Sequence, residues 1–379
     1  MKTILLTCGE TSGEHNASRL VSCIKELDDS CRICAMGGDE LAEAGADILF
    51  PMSRFAVMGF FEVFTKLPRF MALERKLKKF LSGGVDLFIP VDYPGLNLRL
   101  SGYARRAGIP VMYFISPQVW AWGGWRIRRM RRAVDLMVAI LPFEVDLYRA
   151  AGIPVTFAGH PLHDEIAAPA VPKEVPGSDG TLRVVCFPGS RRQEVQRIFP
   201  TMLDAIRLIR KRFPGAVFRI GVAPLIGEGS IEIPPDMSSY VGKTTGGIEE
   251  LEHATLVLAV SGTVTLQTAL SGTPAVVMYR TSPLTYLLGK LLVRIDSIAM
   301  PNLLAGRRIM PELIQGDATA DRIAAEAIGI LSDGKRYRSI SAELLALGER
   351  LRGDGGVRRI AEIALRMAGG DTVGEILAH

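Results

Sequence analysis

The sequence predicts an α/β protein whose two domains each contain a parallel sheet covered by helices on both faces. Three observations lead to this prediction. Short apolar runs rich in β-branched residues alternate with helical patterns along most of the 379 residues. These runs are apolar on both faces, which is typical of the buried strands of parallel sheets. Residues 167–181 are rich in Pro, Ala, Gly, Ser and Asp, and they separate two such series as a linker.

The first series predicts strands that each end at a turn or at a helical pattern. The first strand leads into the glycine turn 8–13, and an amphipathic helix follows it over 14–27. A long helix is predicted over 58–81. The strands of this series are predicted at 2–7, 31–36, 85–91, 109–114 and 135–141.

The second series repeats this alternation after the linker, with a helix over 193–213 and another that begins at Thr263. From about Ala318, the Ala-, Leu- and Arg-rich spacing predicts further helices. Its strands are predicted at 182–187, 216–222, 255–260 and 274–278. We therefore expect an N-terminal domain over 1–170, a C-terminal domain over 171–345, and helices over 346–379 that pack on the N-terminal domain or on a partner subunit.

Composition narrows the class of protein. The net charge of +5 is too weak and too scattered to indicate nucleic-acid binding, but it suits an anionic substrate or an anionic membrane surface. The mean hydropathy of +0.22 is high, yet no apolar run is long enough to predict a transmembrane helix. The N-terminal segment is too short for a signal peptide, so we expect a cytosolic protein.

The five cysteines and five histidines do not predict a metal site. An odd number of cysteines without a signal peptide favours reduced thiols. The pair Cys31 and Cys34 has the CxxC spacing, but no second pair exists, and both residues lie in a strand pattern. We therefore interpret them as packed strand residues.

Two turns carry the residue types of a phosphate site. Gly189 and Ser190 follow an apolar run, and a helical pattern opens at Arg191. The N–H groups and the dipole of a helix N-terminus favour an anion, and arginine matches the geometry of phosphate oxygens. A second turn of this kind consists of Ser261, Gly262 and Thr263. Two such turns in one half of the chain predict a nucleotide diphosphate as ligand.

Asp92 ends an apolar strand pattern, and the carboxyl ends of parallel strands line the ligand clefts of such proteins. A lone carboxylate beside apolar neighbours can have a raised pKa and act as a general base. The sequence equally allows Asp92 to cap the helix that follows Pro94. Both interpretations stay open at this stage.

Other candidates also have two interpretations. The glycine turn 9–13 is not a G-x-G-x-x-G motif, so it is either a ligand turn or only a tight connection. The aromatic stretch 55–70 and the tryptophans beside the arginine-rich segment 126–132 suit lipid headgroups or a sugar phosphate. Core packing and a solvated basic helix face are the alternatives.

Taken in their order and spacing, the motifs resemble those of the lipid-A-disaccharide synthase family over about residues 3–350. Each motif alone is weak, but their joint order is specific. The motifs are Gly9-Glu-Thr-Ser-Gly13, Val57-Met-Gly59, Val91-Asp-Tyr-Pro94, Ser116-Pro-Gln-Val-Trp-Ala-Trp122, Pro188-Gly-Ser-Arg191, Ser261-Gly-Thr263 and Pro301-Asn-Leu-Leu-Ala-Gly306.

This resemblance implies a GT-B glycosyltransferase, in which two Rossmann-like domains face a central cleft and no metal or other cofactor is needed. The family transfers a diacylated glucosamine from UDP to the 6-hydroxyl of a diacylglucosamine 1-phosphate, with inversion at the anomeric carbon. The products are the lipid A disaccharide 1-phosphate and UDP. The resemblance further implies a cytoplasmic enzyme, peripheral on the cytoplasmic face of the inner membrane, and leaves a homodimer open.

The resemblance also implies roles for residues of this chain, with Asp92 as the base that takes the acceptor proton. The residues of the turn in the first domain are Glu10, Ser12, Gly13 and Glu14. Those that contact the acceptor or lipid are Phe60, Phe61, Phe64, Trp120 and Trp122. Those that bind the nucleotide-sugar are Gly189, Ser190, Arg191, Ser261, Gly262, Thr263, Gln267, Arg280 and Asn302.

Two residues depart from the family's pattern. Glu14 stands where the turn usually has Asp, which keeps the charge and changes the reach. Gln267 stands where a Glu often binds the ribose hydroxyls, and an amide is the weaker acceptor. The second departure puts nucleotide affinity, rather than the type of reaction, in question.

Two other functions are compatible with the sequence. The first is another GT-B enzyme that acts on a UDP-sugar, either an epimerase or a transferase with a soluble acceptor. It would act on UDP-N-acetylglucosamine without acyl chains. The second is a non-catalytic nucleotide-sugar-binding protein, which would bind UDP and turn over no acylated substrate.

Overall fold

The computed structural model describes residues 1–51, 62–166, 168–177, 180–223, 226–292 and 296–378. The chain divides into two compact units. Unit 1 contains Met1–Asp164 and Leu351–His379, and unit 2 contains Glu165–Arg350. The chain therefore leaves unit 1 once, forms unit 2, and returns to unit 1 for its last residues.

Parallel strands build unit 1. In its described part they are β1 (Thr3–Thr7), β2 (Arg32–Gly37), β3 (Asp47–Pro51), β4 (Leu87–Pro90), β5 (Met112–Phe114), β6 (Leu136–Ala139) and β7 (Val155–Phe157). One sheet has the order β3-β2-β1-β4, and the other has the order β5-β6-β7. Single parallel bridges from Phe88 to Val111 and from Val91 to Phe114 connect β4 to β5, so the two sheets continue one another.

Unit 2 has one parallel sheet, and its described strands follow the order β10-β9-β8-β11-β12-β13. The strands are β8 (Arg183–Phe187), β9 (Val217–Gly221), β10 (Val241–Thr244), β11 (Leu256–Val260), β12 (Ala275–Tyr279) and β13 (Glu312–Ile314). Every residue of β11 is buried, as expected for a central strand with helices on both faces.

Helices connect the strands in both units. Those of unit 1 before the linker are α1 (Thr11–Leu27), α2 (Asp39–Glu43), α3 (Glu62–Leu81), α4 (Pro94–Arg106), α5 (Ile127–Ala133) and α6 (Pro142–Ala150). Those of unit 2 are α7 (Arg192–Arg212), α8 (Ile248–Glu252), α9 (Thr263–Leu270), α10 (Pro283–Leu292), α11 (Met300–Ala305), α12 (Ala320–Ser332) and α13 (Gly334–Leu351). The final helices are α14 (Gly356–Ala368) and α15 (Val373–Leu377).

The core of unit 1 lies on both faces of its sheet because neighbouring strand residues point in opposite directions. Ile4 and Leu6 pack with residues of α1 and α14 on one face. Leu5 and Phe88 pack with residues of α3 and α4 on the other face. The last helices of the chain are thus part of the core that the first strand begins.

Each unit has one switch point among its described strands, where the strand order reverses between two neighbouring strands. The switch lies between β1 and β4 in unit 1 and between β8 and β11 in unit 2. The paired strands end together, since Thr7 is opposite Pro90 and Phe187 is opposite Ala259. In open sheets of this kind, ligands bind beyond the carboxyl ends of the strands at the switch point.

The predicted strands and long helices occur close to their expected positions, with differences at the ends. Helix α1 begins at Thr11 rather than near residue 14, so Ser12, Gly13 and Glu14 lie in its first turn. Of the helix expected over 58–81, residues 58–61 lie outside the described part of the chain. The short elements α2 and β3 had no sequence prediction, because β3 is a partly exposed edge strand without a continuous apolar run.

Lys173 ties the segment that enters unit 2 to the body of that unit. Its backbone N–H donates to Ser341 Oγ at 2.8 Å. Its ammonium group donates to the carbonyl oxygens of Leu251, Glu252 and Ala254 and to Thr273 Oγ1, at 2.8, 3.2, 3.3 and 2.8 Å. One side chain therefore satisfies carbonyl groups at the end of α8 and in the loop that follows it.

We expect Lys173→Ala to lower the free energy of unfolding of unit 2 by about 2 kcal/mol, because several carbonyl groups lose their donor. For a domain of this size, the loss corresponds to a fall of about 4–8 °C in the midpoint of thermal unfolding, measurable by scanning calorimetry. The control is Lys335→Ala, because Lys335 is exposed and its removal costs less than about 0.5 kcal/mol. Equal midpoints for the two variants would contradict the role of Lys173.

Candidate functional site

Asp92 lies just beyond β4, at the switch point of unit 1. Its φ of 44° and the Tyr93 φ of 46° place both residues in the left-handed region. Residues other than glycine rarely adopt this conformation, and strained positions concentrate at functional sites. All four non-glycine residues with positive φ in the described chain follow a strand end, the other two being Ile115 and Gln315.

The capping interpretation of Asp92 is wrong. Tyr93, and not Asp92, occupies the N-cap position of α4, and no capping hydrogen bond from a side chain is formed there. Burial raises the pKa of the Asp92 carboxyl to about 6, and the negative charge of Glu10 acts in the same direction. A hydrogen bond from the Tyr93 backbone opposes them. The carboxylate is therefore ionised at neutral pH and is more basic than an exposed one.

The turn after β1 lies against the turn that contains Asp92. The Tyr93 ring covers Gly9, where a Cβ atom would overlap the ring, so this approach requires glycine. Glu10 is exposed and close enough for its charge to act on Asp92, and Ser12 is exposed beside it. The structure thus brings the first predicted turn and Asp92 together at one edge of the sheet.

Gly13 and Glu14 are buried in the first turn of α1. Gly13 is buried against Cys8 and Val91. Glu14 is also buried, and its Oε1 accepts the N–H of Gly38 at 2.7 Å at the N-terminus of α2. Burial raises the pKa of the Glu14 carboxyl. The hydrogen bond from Gly38 opposes this rise but is the smaller effect. The extra reach of Glu at this position joins α1 to α2.

The loop that follows β5 is fixed by a buried carboxylate. Glu144 is 1% exposed, and its Oε1 accepts hydrogen bonds from Ser116 Oγ at 2.6 Å and Trp120 Nε1 at 3.1 Å. Its Oε2 accepts the backbone N–H groups of Ile140 and Leu141. Burial raises the pKa of Glu144, and these donors oppose the rise. Trp120 is therefore held to α6 by its indole N–H.

The predicted lipid contacts are only partly described. Trp122 is 49% exposed, and the Arg126 guanidinium lies 4.1 Å from the centroid of its ring. Phe60 and Phe61 lie outside the described residues, and Phe64 lies on α3 with its side chain outside them.

The first predicted phosphate turn connects β8 to α7. Gly189 has a φ of 118°, and a Cβ atom there would lie 2.7 Å from Glu194 Cβ, so glycine is required. Arg191 is the N-cap of α7, and its side chain is 78% exposed. Glu194 Oε2 accepts the N–H groups of Ser190 and Arg191 at 3.2 and 3.3 Å. Glu194, at the third position of α7, thus caps the start of this helix.

The second turn connects β11 to α9 next to the first, because β8 and β11 are neighbours. Ser261 Oγ donates to the carbonyl oxygen of Ile298 at 2.7 Å, which fixes the turn to the segment before α11. Gly262 and Thr263 are exposed at the N-terminus of α9, and Gln267 is half-buried about one turn further along the helix. Two helix N-termini therefore meet at the switch point of unit 2.

Arg280 follows β12, and its guanidinium donates to Ala318 O at 2.8 Å and to Thr201 Oγ1 at 3.4 Å. Asn302 is buried on α11, and its amide is fully engaged inside unit 2. Its Nδ2 donates to Met310 O and Glu312 Oε1, and its Oδ1 accepts the N–H groups of Ile309 and Met310. A nucleotide contact by Asn302 stays a prediction, and it requires the exchange of one of these bonds.

Several residues that shape these sites were not predicted from the sequence. Each is polar and contacts a segment that is distant in sequence or close to a predicted turn. A polar residue inside an apolar pattern was the available signal for Tyr113 and Glu312. Glu194, three residues after Arg191, has the spacing of a capping carboxylate. The set is Asn97, Tyr113, Glu144, Glu194 and Glu312.

Comparison with known proteins gives a consistent result. A sequence model described as lipid-A-disaccharide synthetase matches residues 4–352. The lipid-A-disaccharide synthase of Geobacter sulfurreducens is 39% identical over 378 residues and covers 97% of both chains. That of Geobacter metallireducens is 38% identical over 377 residues, with 97% of this chain and 98% of the relative covered.

Solved structures with the same fold are glycosyltransferases and related enzymes of GT-B type. The glycosyltransferase of kitacinnamycin has a TM-score of 0.66 at 16% identity and covers 96% of this chain and 98% of its own. MurG of Acinetobacter baumannii has a TM-score of 0.59 at 13% identity, with 97% and 100% covered. At these identities the similarity shows the fold, which is GT-B as predicted.

We expect Glu10→Gln to lower the pKa of the Asp92 carboxyl below about 6, because the substitution removes a negative charge that opposes ionisation. The pKa stays above the ordinary value of 3.8, because burial is the larger cause. Titration of the carboxyl ¹³C resonances by NMR measures the change. Glu26→Gln, at the exposed far end of α1, is the control and leaves the pKa unchanged. A pKa unaffected by Glu10→Gln would contradict the interaction.

Proposed function

Because the chain belongs to the lipid-A-disaccharide synthetase family, we propose that it transfers a diacylated glucosamine from UDP to a diacylglucosamine 1-phosphate. The acceptor is its 6-hydroxyl group, and the products are the lipid A disaccharide 1-phosphate and UDP. The observation that carries the proposal is the complementary chemistry at the two switch points. The switch point of unit 1 has the Asp92 carboxylate, whose pKa is raised. The switch point of unit 2 has the N-termini of α7 and α9, with arginines at the start of α7.

Asp92 is the proposed general base. As the acceptor oxygen attacks the anomeric carbon, its proton passes to the Asp92 carboxylate, and the bond from that carbon to the UDP oxygen breaks. Attack opposite the leaving group inverts the anomeric centre in one displacement. A pKa of about 6 keeps the carboxylate about 90% ionised at pH 7 and makes it a better proton acceptor than an exposed aspartate.

Residues of unit 2 bind the donor in this proposal. Negative charge develops on the β-phosphate as UDP leaves, and N–H groups and arginines stabilise that charge. Arg191 is exposed and free to turn toward a phosphate once its 3.3 Å contact with Glu194 is exchanged. The N-terminus of α9 faces the same region, with Arg280 beyond β12 as a further cation. Gln267 is the proposed ribose contact.

Because the proposed substrates carry acyl chains, the enzyme must act at a lipid surface. We propose that this surface is the cytoplasmic face of the inner membrane. Trp122 and Trp125 are exposed, and Arg126 stacks on both rings, at 4.1 and 5.4 Å from the centroids. Four arginines of α5, residues 128, 129, 131 and 132, are exposed beside them. Aromatic rings next to arginines suit the headgroup region of an anionic membrane. No described helix is both long and apolar enough to cross a membrane. A homodimer remains a prediction.

Asp92→Asn is expected to lower turnover about 100-fold or more, because it removes the base. Arg191→Ala is expected to lower it by a similar factor, because it removes a cation that stabilises the leaving group. The assay incubates each variant with UDP-diacylglucosamine and diacylglucosamine 1-phosphate and detects the disaccharide by mass spectrometry. Arg212→Ala, at the far end of α7 and about 30 Å away, is the control.

Wild-type turnover in the Asp92→Asn or Arg191→Ala variant would remove that residue from the mechanism. Activity of the wild-type protein on UDP-N-acetylglucosamine alone would favour an epimerase or a transferase with a soluble acceptor. Binding of UDP without any turnover of the acylated pair would favour a non-catalytic binding protein.

Glu194→Gln is expected to strengthen UDP binding about two- to fivefold, because it removes the negative charge that competes with phosphate at the N-terminus of α7. Glutamine still offers an oxygen to the Ser190 and Arg191 N–H groups. Titration calorimetry with UDP measures the affinity. Glu232→Gln, an exposed change elsewhere in unit 2, is the control. Unchanged or weaker binding in Glu194→Gln would place the phosphates elsewhere.

A further inference from the structure

The left-handed turn at Asp92 and Tyr93 needs support from outside the turn. Two successive left-handed residues other than glycine cost on the order of the energy of several hydrogen bonds, and they persist only where the surroundings fix them. The turn has no capping side chain of its own. Its backbone is instead held by groups from β5 and α4.

The first support is the buried amide of Asn97 in the first turn of α4. Its Nδ2 lies within hydrogen-bond distance of three carbonyl oxygens, those of Asp92, Val91 and Thr7, at 2.8, 3.1 and 3.3 Å. Its Oδ1 accepts the Thr7 hydroxyl at 2.8 Å. One side chain therefore joins the ends of β1 and β4, and its shortest donated bond goes to the Asp92 carbonyl.

The second support is the Tyr113 hydroxyl, which comes from β5. Tyr113 is fully buried, and its Oη donates to the Asp92 carbonyl oxygen at 2.6 Å. The Asp92 N–H donates to the Phe114 carbonyl oxygen at 3.1 Å. Both polar groups of the Asp92 backbone are thus bound. The carbonyl oxygen accepts from side chains of α4 and β5, and the N–H donates to the backbone of β5.

We infer that Asn97 and Tyr113 are positioning residues that hold the Asp92 carboxylate by fixing its backbone carbonyl, an inference that rests on the proposed role of Asp92 as the base. Both donors are uncharged, and both bind the carbonyl rather than the carboxylate. A donor on the carboxylate would stabilise its ionised form and make it a weaker base. Support through the carbonyl fixes the position of the residue and leaves its basicity intact.

The titratable and charged groups near the Asp92 carboxyl come from the start of α1, from β5 and from α4. Glu10 acts from the start of α1, and the phenol of Tyr113 interacts with Asp92 from β5. Tyr93, which is next in sequence, is influenced by Glu10 and by Arg99 of α4. If the carbonyl is released, the carboxylate gains access to water, and the part of its pKa rise that comes from burial decreases. A residue that only stabilised the fold would not change this titration.

Tyr113→Phe is the first test, because it removes one hydroxyl and keeps the ring. We expect kcat to fall about tenfold with KM for both substrates within about twofold. We also expect the acidic limb of the pH profile of kcat/KM to move to lower pH, toward the value of an exposed aspartate. Asn97→Ala changes the same quantities in the same direction and to a larger extent.

Tyr337→Phe is the matched control. Tyr337 is fully buried in unit 2, and its hydroxyl donates to the Thr255 carbonyl oxygen at 2.7 Å, so the substitution removes an equivalent bond. It should lower the midpoint of thermal unfolding much as Tyr113→Phe does, with kcat and the acidic limb unchanged. If Asn97→Ala does not fold, the comparison of the two tyrosine variants decides.

The inference is overturned if Tyr113→Phe alters kcat and the acidic limb no more than Tyr337→Phe does. The parent proposal fails separately, if Asp92→Asn retains wild-type turnover. Loss of turnover in Asp92→Asn together with an unmoved limb in Tyr113→Phe would keep Asp92 as the base and reject its positioning by Tyr113 and Asn97.

Discussion

Parallel strands end at one edge of their sheet, and this constraint determines where the chemistry of both units lies. At a switch point the connecting helices leave toward opposite faces, so the backbone groups at the strand ends are not covered by a helix. These groups still need hydrogen-bond partners. In unit 1 the partners are the side chains of Asn97 and Tyr113, and in unit 2 Glu194 accepts from the N–H groups that follow β8.

The two units meet this need with opposite chemistry. At the end of β4 the exposed groups are carbonyls, and neutral donors bind them, which leaves the nearby carboxylate basic. At the start of α7 the groups are N–H donors, and the Glu194 carboxylate accepts from them. The N–H groups of a helix N-terminus favour a negatively charged acceptor. In the proposed function, the carboxylate of unit 1 acts as the base, and the helix N-termini of unit 2 bind the phosphates of the donor.

The sequence predicted what depends on local pattern and missed what depends on distant partners. The α/β class with parallel sheets, most strands and the positions of Asp92 and Arg191 followed from apolar runs that end in turns, and the GT-B type followed from the resemblance of the motifs. That the Glu14 carboxylate bonds to Gly38, and that the Asn302 amide is engaged with residues near β13, could not be predicted, because the partners are separated in sequence and meet only in the folded sheet. The short edge strand β3 was missed because it is half-exposed and lacks a continuous apolar pattern.

The return of the chain to unit 1 has a consequence for the order of folding during synthesis. Residues of α14 such as Val357, Ile360 and Ala364 are buried in the same core cluster as Ile4 and Leu6 of β1. The ribosome makes these residues only after every residue of unit 2 has been made. Unit 2 can therefore complete its core while the chain is still growing, because domains fold as units as they emerge. Unit 1 is begun before unit 2 and completed after it, and until then one face of its sheet is covered by α1 without α14.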